Sequence, residues 1–188
     1  MGNVIRKLVG NGPLRGGIRK ARMWWVRTRH GLRHVHPTAY ISTLAGVEIA
    51  RDVRIAEHVY VGNGCVIGKN VSIGRYTMLA PRVSIVGADH RIDVPGTPMI
   101  FAGRPEQKAT TIGADAWIGV GSVVMQGLSI GRGAVIGANS VVTKDVPAYE
   151  IWAGIPARKI RDRFDSADDR RRHDAAIDGP IIPPNFCD

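Results

Sequence analysis

Aliphatic side chains recur at every sixth position through two long stretches of this chain. The first stretch runs from Ile49 to Ile85 and the second from Ile112 to Val142. A small residue directly follows most of these positions, and a small or β-branched residue stands two places before the next one. A short period held over this distance is the signature of a solenoid, in which each repeat buries its apolar face against its neighbours.

Each six-residue repeat predicts a short strand followed by a corner. Side chains alternate along a strand, so the aliphatic residue and the residue two places before it share the inner face. The small residue after the aliphatic one lets the backbone turn without a clash at Cβ. Three corners close a triangle, and successive coils stack about 4.8 Å apart. The sequence therefore predicts an all-β fold, a parallel β-helix with a narrow aliphatic core.

The period is interrupted between residues 87 and 109. This segment contains three prolines and no repeat, and Ile85 and Ile112 are 27 positions apart, which is not a multiple of six. The segment must therefore protrude from the coils as a loop. Long loops on a rigid scaffold often carry binding and catalysis, so we expect the chemistry here.

The repeats divide the chain into three parts. Residues 1–34 are predicted to form a basic N-terminal arm or cap, residues 35–160 the β-helix domain, and residues 161–188 a charged, Pro-rich C-terminal tail. The first coil is predicted to be irregular, because Val35 and Ile41 are out of step with Ile49. Several glycines and Pro13 predict an arm broken into short pieces.

Nearly all of the net charge of +10 lies in the arm, which has nine Arg and Lys residues and no acidic residue. The arm also carries Trp24 and Trp25. Two roles stay open for it: a cap over the edge of the first coil, or contact with an anionic membrane. A basic arm on a nearly neutral domain does not favour nucleic acid. Without a long apolar run or a signal-peptide pattern, the sequence predicts a cytoplasmic protein, either free or peripheral at the inner face of the membrane.

Three motifs beyond the repeats carry a resemblance to a known family. They are Asp89-His90 in the loop, Trp117-Ile118-Gly119 in the second array, and the closing sequence 136–147 with residues 153–157 after it. In this combination the chain resembles the hexapeptide-repeat O-acetyltransferases, which include maltose, galactoside and polysaccharide enzymes. The resemblance implies a left-handed β-helix, a homotrimer, and acetyl-CoA bound between neighbouring subunits.

Transfer of an acetyl group to a hydroxyl requires removal of the hydroxyl proton as the oxygen attacks the thioester. A neutral imidazole suits that task, so His90 is the candidate general base, with Asp89 as a second candidate catalytic residue. Arg82, which stands where galactoside enzymes carry Asn, and Arg91 are the candidate acceptor contacts. The residues that the resemblance places at acetyl-CoA are Trp117, Gly119, Thr143, Lys144, Pro156, Ala157 and Arg158.

We therefore predict an acetyl-CoA-dependent O-acetyltransferase that acts on a sugar or polysaccharide intermediate by direct attack on the thioester. An N-acetyltransferase on an amino-sugar nucleotide and a non-catalytic binding solenoid stay open as alternatives. A γ-class carbonic anhydrase would need three converging histidines, and the regular coils and the loop hold two, His58 and His90. No metal is predicted.

Overall fold

The computed structural model of the chain describes residues 13–42, 46–87 and 89–181. Residues 1–12 of the predicted arm and 182–188 of the predicted tail lie outside these ranges. The described chain begins with helix α1, Pro13–His30, continues through short parallel strands, and ends with an antiparallel hairpin and helix α2, Ala167–Asp178.

The parallel strands are two or three residues long and follow the six-residue period. They are β1 Tyr40–Ile41, β2 Glu48–Ile49, β3 Arg54–Ile55, β4 Tyr60–Val61, β5 Val66–Ile67, β6 Val71–Ile73, β7 Met78–Leu79, β8 Ser84–Val86, β9 Thr110–Ile112, β10 Trp117–Ile118, β11 Val123–Met125, β12 Ser129–Ile130, β13 Val135–Ile136 and β14 Val141–Val142. Ile49 pairs with Ile67 and Ile67 pairs with Ile85. These partners are 18 residues apart, so three repeats make one coil, as the sequence predicted.

The strands form three parallel sheets, which are the faces of a triangular prism. Face A contains β3, β6, β9 and β12, and face C contains β2, β5, β8, β11 and β14. Face B contains β1, β4, β7, β10 and β13, and is extended by the hairpin strands β15, Glu150–Gly154, and β16, Ala157–Asp162. The chain passes from face A to B to C and back to A in each coil.

The aliphatic positions of the repeat form the core, as predicted. From Ile55 to Val142 each of them is no more than 3% exposed, and the residue two places before is buried with it in most repeats. Where that second residue is Thr or Ser, its hydroxyl bonds the backbone: Thr77 donates to the Gly113 carbonyl at 2.7 Å, Ser122 donates to the Gly137 carbonyl at 2.8 Å, and Thr110 accepts from the Gly127 N–H at 2.8 Å. Buried hydroxyls are therefore satisfied inside the narrow core.

The small residue after each aliphatic position is required by the next coil. A Cβ added to Gly74 would lie 2.5 Å from the backbone nitrogen of Ala114, and one added to Gly113 would lie 2.4 Å from that of Arg132. The positive φ of the corner falls two residues later, on non-glycine residues such as Tyr76 at 63° and Asp115 at 54°. Close coil stacking, more than backbone freedom, thus explains the small residue.

The first coil is irregular, as predicted, and α1 covers it. Val35 pairs with Ile55, so this step takes 20 residues in place of 18. Helix α1 is continuous, and the prediction of short pieces was wrong. Its glycines cost helix stability, about 1 kcal/mol each, but Met23 and Val26 are buried on the first coil and offset that cost.

Helix α2 is tied to the corner between faces A and B. Ser166 caps its first turn by accepting from the backbone N–H of Asp169 at 3.0 Å. The Nη1 of Arg132 contacts Asp174 at 2.8 Å, and the hydroxyl of Tyr149 also bonds Asp174. The predicted tail therefore contains a helix, and contacts with Asp115, Arg132 and Tyr149 anchor it to three successive coils.

Candidate functional site

The loop that carries the predicted base leaves the prism at one corner. It begins after β8 on face C and returns to β9 on face A, so it protrudes from the C/A corner. His90 and Asp89 are exposed near its start. Within the described residues, neither side chain has a hydrogen-bond partner. The neighbouring Asp89 therefore does not orient the imidazole in this chain.

Two predicted cofactor residues lie at the same corner. Thr143 and Lys144 directly follow β14, and β14 is joined to β8 through β11 in face C. They are thus two coil steps from the start of the loop, about 10 Å along the prism. Both are exposed, and Lys144 makes no ion pair with any described residue. The structure therefore brings Thr143 and Lys144 to the side of the prism that carries His90.

Trp117 lies on face B, in a ladder of outward apolar side chains. Its neighbours in register are Met78 on β7 and Val135 on β13. The indole is 49% exposed, while the next residue, Ile118, is fully buried. The complete ladder, in order along the face, is Tyr40, Tyr60, Met78, Trp117, Val135 and Ile151.

The other predicted cofactor residues extend from this face. Ala157 is buried, while Pro156 and Arg158 are exposed at the turn of the β15–β16 hairpin, where the Ile155–Pro156 peptide is cis. Gly119 follows Trp117 in face B, and a Cβ there would lie 2.6 Å from the backbone nitrogen of Ala138. Coil stacking alone thus requires a glycine at position 119.

The predicted site residues therefore fall into two groups on opposite sides of one prism. His90, Thr143 and Lys144 lie at the C/A corner, and Trp117 and Arg158 belong to face B, which is the face opposite that corner. A triangular cross-section holds them apart by the full width of the core. One chain by itself does not bring the predicted base, His90, next to Trp117.

The two candidate acceptor contacts are also apart. Arg82 is exposed at the corner between faces B and C, with φ of 60°. Arg91 lies in the loop, where its Nε contacts Asp93 Oδ1 at 3.1 Å. That contact lowers the pKa of the Asp93 carboxyl, since the guanidinium stabilises its charged form. The structure does not group Arg82 with Arg91 in one chain.

The loop has an exposed apolar tip. Ile92, Met99, Ile100 and Phe101 are each more than 60% exposed, and the last three form a single 3₁₀ turn. One hydrogen bond, from the Arg91 N–H to the Gly103 carbonyl at 2.9 Å, closes the neck of the loop. Exposed apolar side chains of this kind are typical of a surface that contacts another molecule.

The sequence analysis missed a polar cluster at the A/B corner. His173 Nε2 lies 2.7 Å from Asp115 Oδ2, and the Nη1 of Arg163 lies 2.7 Å from the same oxygen. Beside them, burial and the hydrogen bond to Asp174 raise the pKa of Tyr149 to about 12. These contacts join residues up to 58 positions apart, so no local sequence motif indicates them.

The apolar ladder of face B was also missed, although its signal was in the sequence. The residue before the inner aliphatic position is apolar at every third repeat, as in Tyr60 and Met78. Read at the eighteen-residue period of the coil, this recurrence predicts an apolar outer face.

The described residues offer no group of three or more His, Cys, Asp and Glu side chains that could hold a metal ion. No helix among them is long and apolar enough to cross a bilayer.

Comparisons with known proteins agree with this fold. Residues 109–144 match the family model described as bacterial transferase hexapeptide (six repeats). A hexapeptide-repeat-containing acetyltransferase from Vibrio cholerae superposes with a TM-score of 0.59 at 24% identity, over 81% of this chain and 90% of that one. The left-handed parallel β-helix implied by the resemblance is thereby confirmed.

Two curated relatives are similar in sequence. A probable macrolide acetyltransferase of Lysinibacillus sphaericus is 37% identical over 113 residues, which are 52% of this chain and 63% of that protein. The putative lipopolysaccharide biosynthesis O-acetyl transferase WbbJ of Escherichia coli is 33% identical over 116 residues, 58% of this chain and 57% of that protein. The chain therefore contains the hexapeptide repeat and is similar in sequence to these acetyltransferases. It spans less than two thirds of the length of either relative.

Proposed function

We propose that this protein is an acetyl-CoA-dependent O-acetyltransferase whose site forms between two copies of the chain. The observation that carries the proposal is the separation of His90 from Trp117 on opposite sides of the prism. If the C/A corner of one copy faces face B of the next, the base, the tryptophan and the free cations meet in one cleft.

The exposed groups on the two sides fit the parts of an acyl-CoA. The Trp117 indole within an apolar ladder suits the uncharged pantetheine arm, since burying such surface is favourable. Lys144 and Arg158 are exposed and make no ion pair with described residues, so they are available to phosphate oxygens. Lys159, the next residue along the hairpin, is not available in this way, because its ammonium contacts Glu150 at 2.8 Å and Asp162 at 3.2 Å.

His90 acts as the general base in this proposal. Its neutral imidazole takes the proton of the acceptor hydroxyl while the oxygen attacks the thioester carbonyl carbon. The new carbon–oxygen bond forms as the carbon–sulfur bond breaks. The leaving thiolate then recovers the proton from the imidazolium, so atoms and charge balance without a metal. We give Asp89 a secondary role, because its carboxylate does not contact the imidazole of His90 within one chain.

A homotrimer is the proposed assembly. Cyclic symmetry lets each copy present its loop corner to face B of the next copy, and three such contacts close a ring. The apolar loop tip and the apolar ladder of face B supply the surfaces that such contacts would bury.

The proposed acceptor is a hydroxyl of a sugar or polysaccharide intermediate. WbbJ, named for lipopolysaccharide biosynthesis, supports a glycan, and the macrolide relative supports a hydroxyl-bearing small molecule. Arg82 would approach the acceptor from the neighbouring copy, because its corner adjoins face B. A screen of thiol release against oligosaccharides, amino-sugar nucleotides and macrolides separates these classes. Transfer to an amine alone would favour the N-acetyltransferase, and no transfer would favour a binding solenoid.

Substitution of His90 tests the chemistry. His90→Ala should lower kcat on the identified acceptor by about 10²–10⁴, the usual worth of general-base assistance, with the Kd for acetyl-CoA nearly unchanged. His30→Ala, at an exposed histidine of α1, is the matched control and should keep full activity. Near-normal turnover by His90→Ala would mean that another residue is the general base.

Substitution of Trp117 tests the donor side. Trp117→Ala should raise the KM for acetyl-CoA by about tenfold or more, because the indole no longer covers the pantetheine arm. The effect should appear in donor KM and not in acceptor KM. Equal KM values for acetyl-CoA in the variant and the unmodified protein would mean that Trp117 does not contact the donor.

A further inference from the structure

Helix α1 has two faces with different surroundings. Met23 and Val26 are buried against the first coil, while Trp24 and Trp25 are 66% and 51% exposed. Gly17, Ala21 and Thr28 are exposed with them and recur at the three- and four-residue spacing of one helical stripe. Capping of the first coil therefore explains the apolar inner face of α1, but it does not explain the exposed tryptophans.

The charge of the N-terminal segment has one sign. Residues 1–34 contain nine Arg and Lys residues and no acidic residue, and the rest of the chain is nearly neutral. A helix with tryptophans on one face and cations beside them lies in the boundary between headgroups and acyl chains. The cations add attraction to anionic headgroups that extends over about a Debye length.

A groove beside Trp24 adds a second, independent feature. It has a volume of about 490 Å³ and is lined by Trp24, Arg27, Thr28, Gly31, Leu32 and Arg33. Arg27 and Arg33 both line this groove; Arg27 is half-buried and Arg33 is exposed. A guanidinium presents several N–H donors in a planar fork, so the Arg27 and Arg33 groups that line the groove can donate to one phosphate.

We propose that the outer face of α1 docks on an anionic lipid bilayer, with Trp24 and Trp25 in the headgroup region and a lipid phosphate between Arg27 and Arg33. Nucleic acid fits less well, since an exposed apolar stripe gains nothing from a phosphate backbone. The docking does not depend on which acceptor is acetylated. It would hold the enzyme near acceptors that are attached to a membrane.

Flotation of the full chain with vesicles tests this proposal. The protein should bind phosphatidylcholine vesicles that contain phosphatidylserine and should not bind phosphatidylcholine alone. The double variant Trp24→Ala/Trp25→Ala should bind at least about tenfold more weakly. Deletion of residues 1–34 is a poorer test, because it also removes Met23 and Val26 from the core.

A charge variant separates the phosphate groove from the tryptophans. Arg33→Gln should weaken binding to the anionic vesicles by roughly fivefold, the usual effect of one cation near such a surface. Arg172→Gln removes one exposed cation from α2 instead, and its binding should equal that of the unmodified protein. Each variant should keep the acetyl transfer rate on a soluble acceptor.

Three results would overturn the proposal. One is equal vesicle binding by the double tryptophan variant. Another is binding to duplex DNA at physiological salt that is tighter than binding to the vesicles, which would assign the arm to nucleic acid. The third is a change in oligomer mass on substitution of Trp24 and Trp25 without vesicles, which would make the stripe a protein interface.

Discussion

Faces A and B are built from the same six-residue repeat, yet they present opposite surfaces. Their inner residues, such as Ile73 on face A and Leu79 on face B, are both buried. The outward residues of face A are Arg54, Ser72, Thr111 and Ser129, whereas face B presents the ladder through Met78 and Trp117. Inner positions thus specify the coil, and outward positions specify what each face contacts.

The largest effect should follow from a charge placed on face B. Met78→Lys would bury an unpaired ammonium between copies, which costs about 3–5 kcal/mol. Sedimentation should show dissociation of the proposed trimer at concentrations where the unmodified protein stays associated. Thr111→Lys puts the same charge on face A and should leave the mass unchanged. Dissociation by Thr111→Lys alone would mean that face A, and not face B, forms the interface.

Truncation of the core should affect both faces alike. Ile73→Ala and Leu79→Ala should each lower the free energy of unfolding by about 2–5 kcal/mol, through lost burial and an unfilled cavity. Urea denaturation of the two variants measures this. A small loss at one of them would mean that its face is not part of the continuous core.

A smaller effect is expected at the corner between the two faces. Tyr149→Phe removes the hydroxyl that donates to Asp174 and should cost about 1.5–3 kcal/mol, as for hydrogen bonds to charged groups. Tyr76→Phe is the control: the Tyr76 hydroxyl is buried without a partner among the described residues, so its removal should be neutral or stabilising. The opposite ranking in a denaturation series would contradict this account of the α2 anchor.

The smallest effect concerns the hairpin that extends face B. Hydrogen bonds from Lys159 and Trp152 lower the pKa of Glu150 in the folded protein. A carboxyl with a lowered folded pKa stabilises the fold above its unfolded pKa, and this contribution is lost as pH falls through the folded value. Glu150→Gln should therefore lose less stability than the unmodified protein between neutral and acid pH. The difference between the two proteins in the free energy of unfolding, measured by urea denaturation, should stay below about 1 kcal/mol.

The sequence was sufficient for the coils because every repeat obeys the same local rule. Burial at Ile67 and Ile85 could be predicted from spacing, since one inner position dictates the next. The αL corners at Tyr76 and Asp115 could not, because several residue types tolerate that backbone in a tight corner. The His173–Asp115 contact depends on how α2 folds back, which no repeat encodes.

The candidate site was predicted only as a set of residues. Motifs indicated His90 and Trp117, but their positions on opposite sides of the prism follow from the coil in which each strand lies. The glycines of the arm suggested breaks, yet tertiary burial of Met23 and Val26 keeps α1 continuous. Local propensity fails where a distant surface supplies the compensating contact.

Subunit mixing tests the composite site most directly. His90→Ala and Trp117→Ala proteins, each impaired alone, are unfolded together in equal amounts, refolded, and assayed at low acetyl-CoA. If each site takes His90 from one copy and Trp117 from its neighbour, about one quarter of the sites regain both residues by random assortment in a ring. We predict recovery of about that fraction of the unmodified activity. No recovery above the two parent variants, with mixed trimers confirmed by mass, would contradict a site shared between copies.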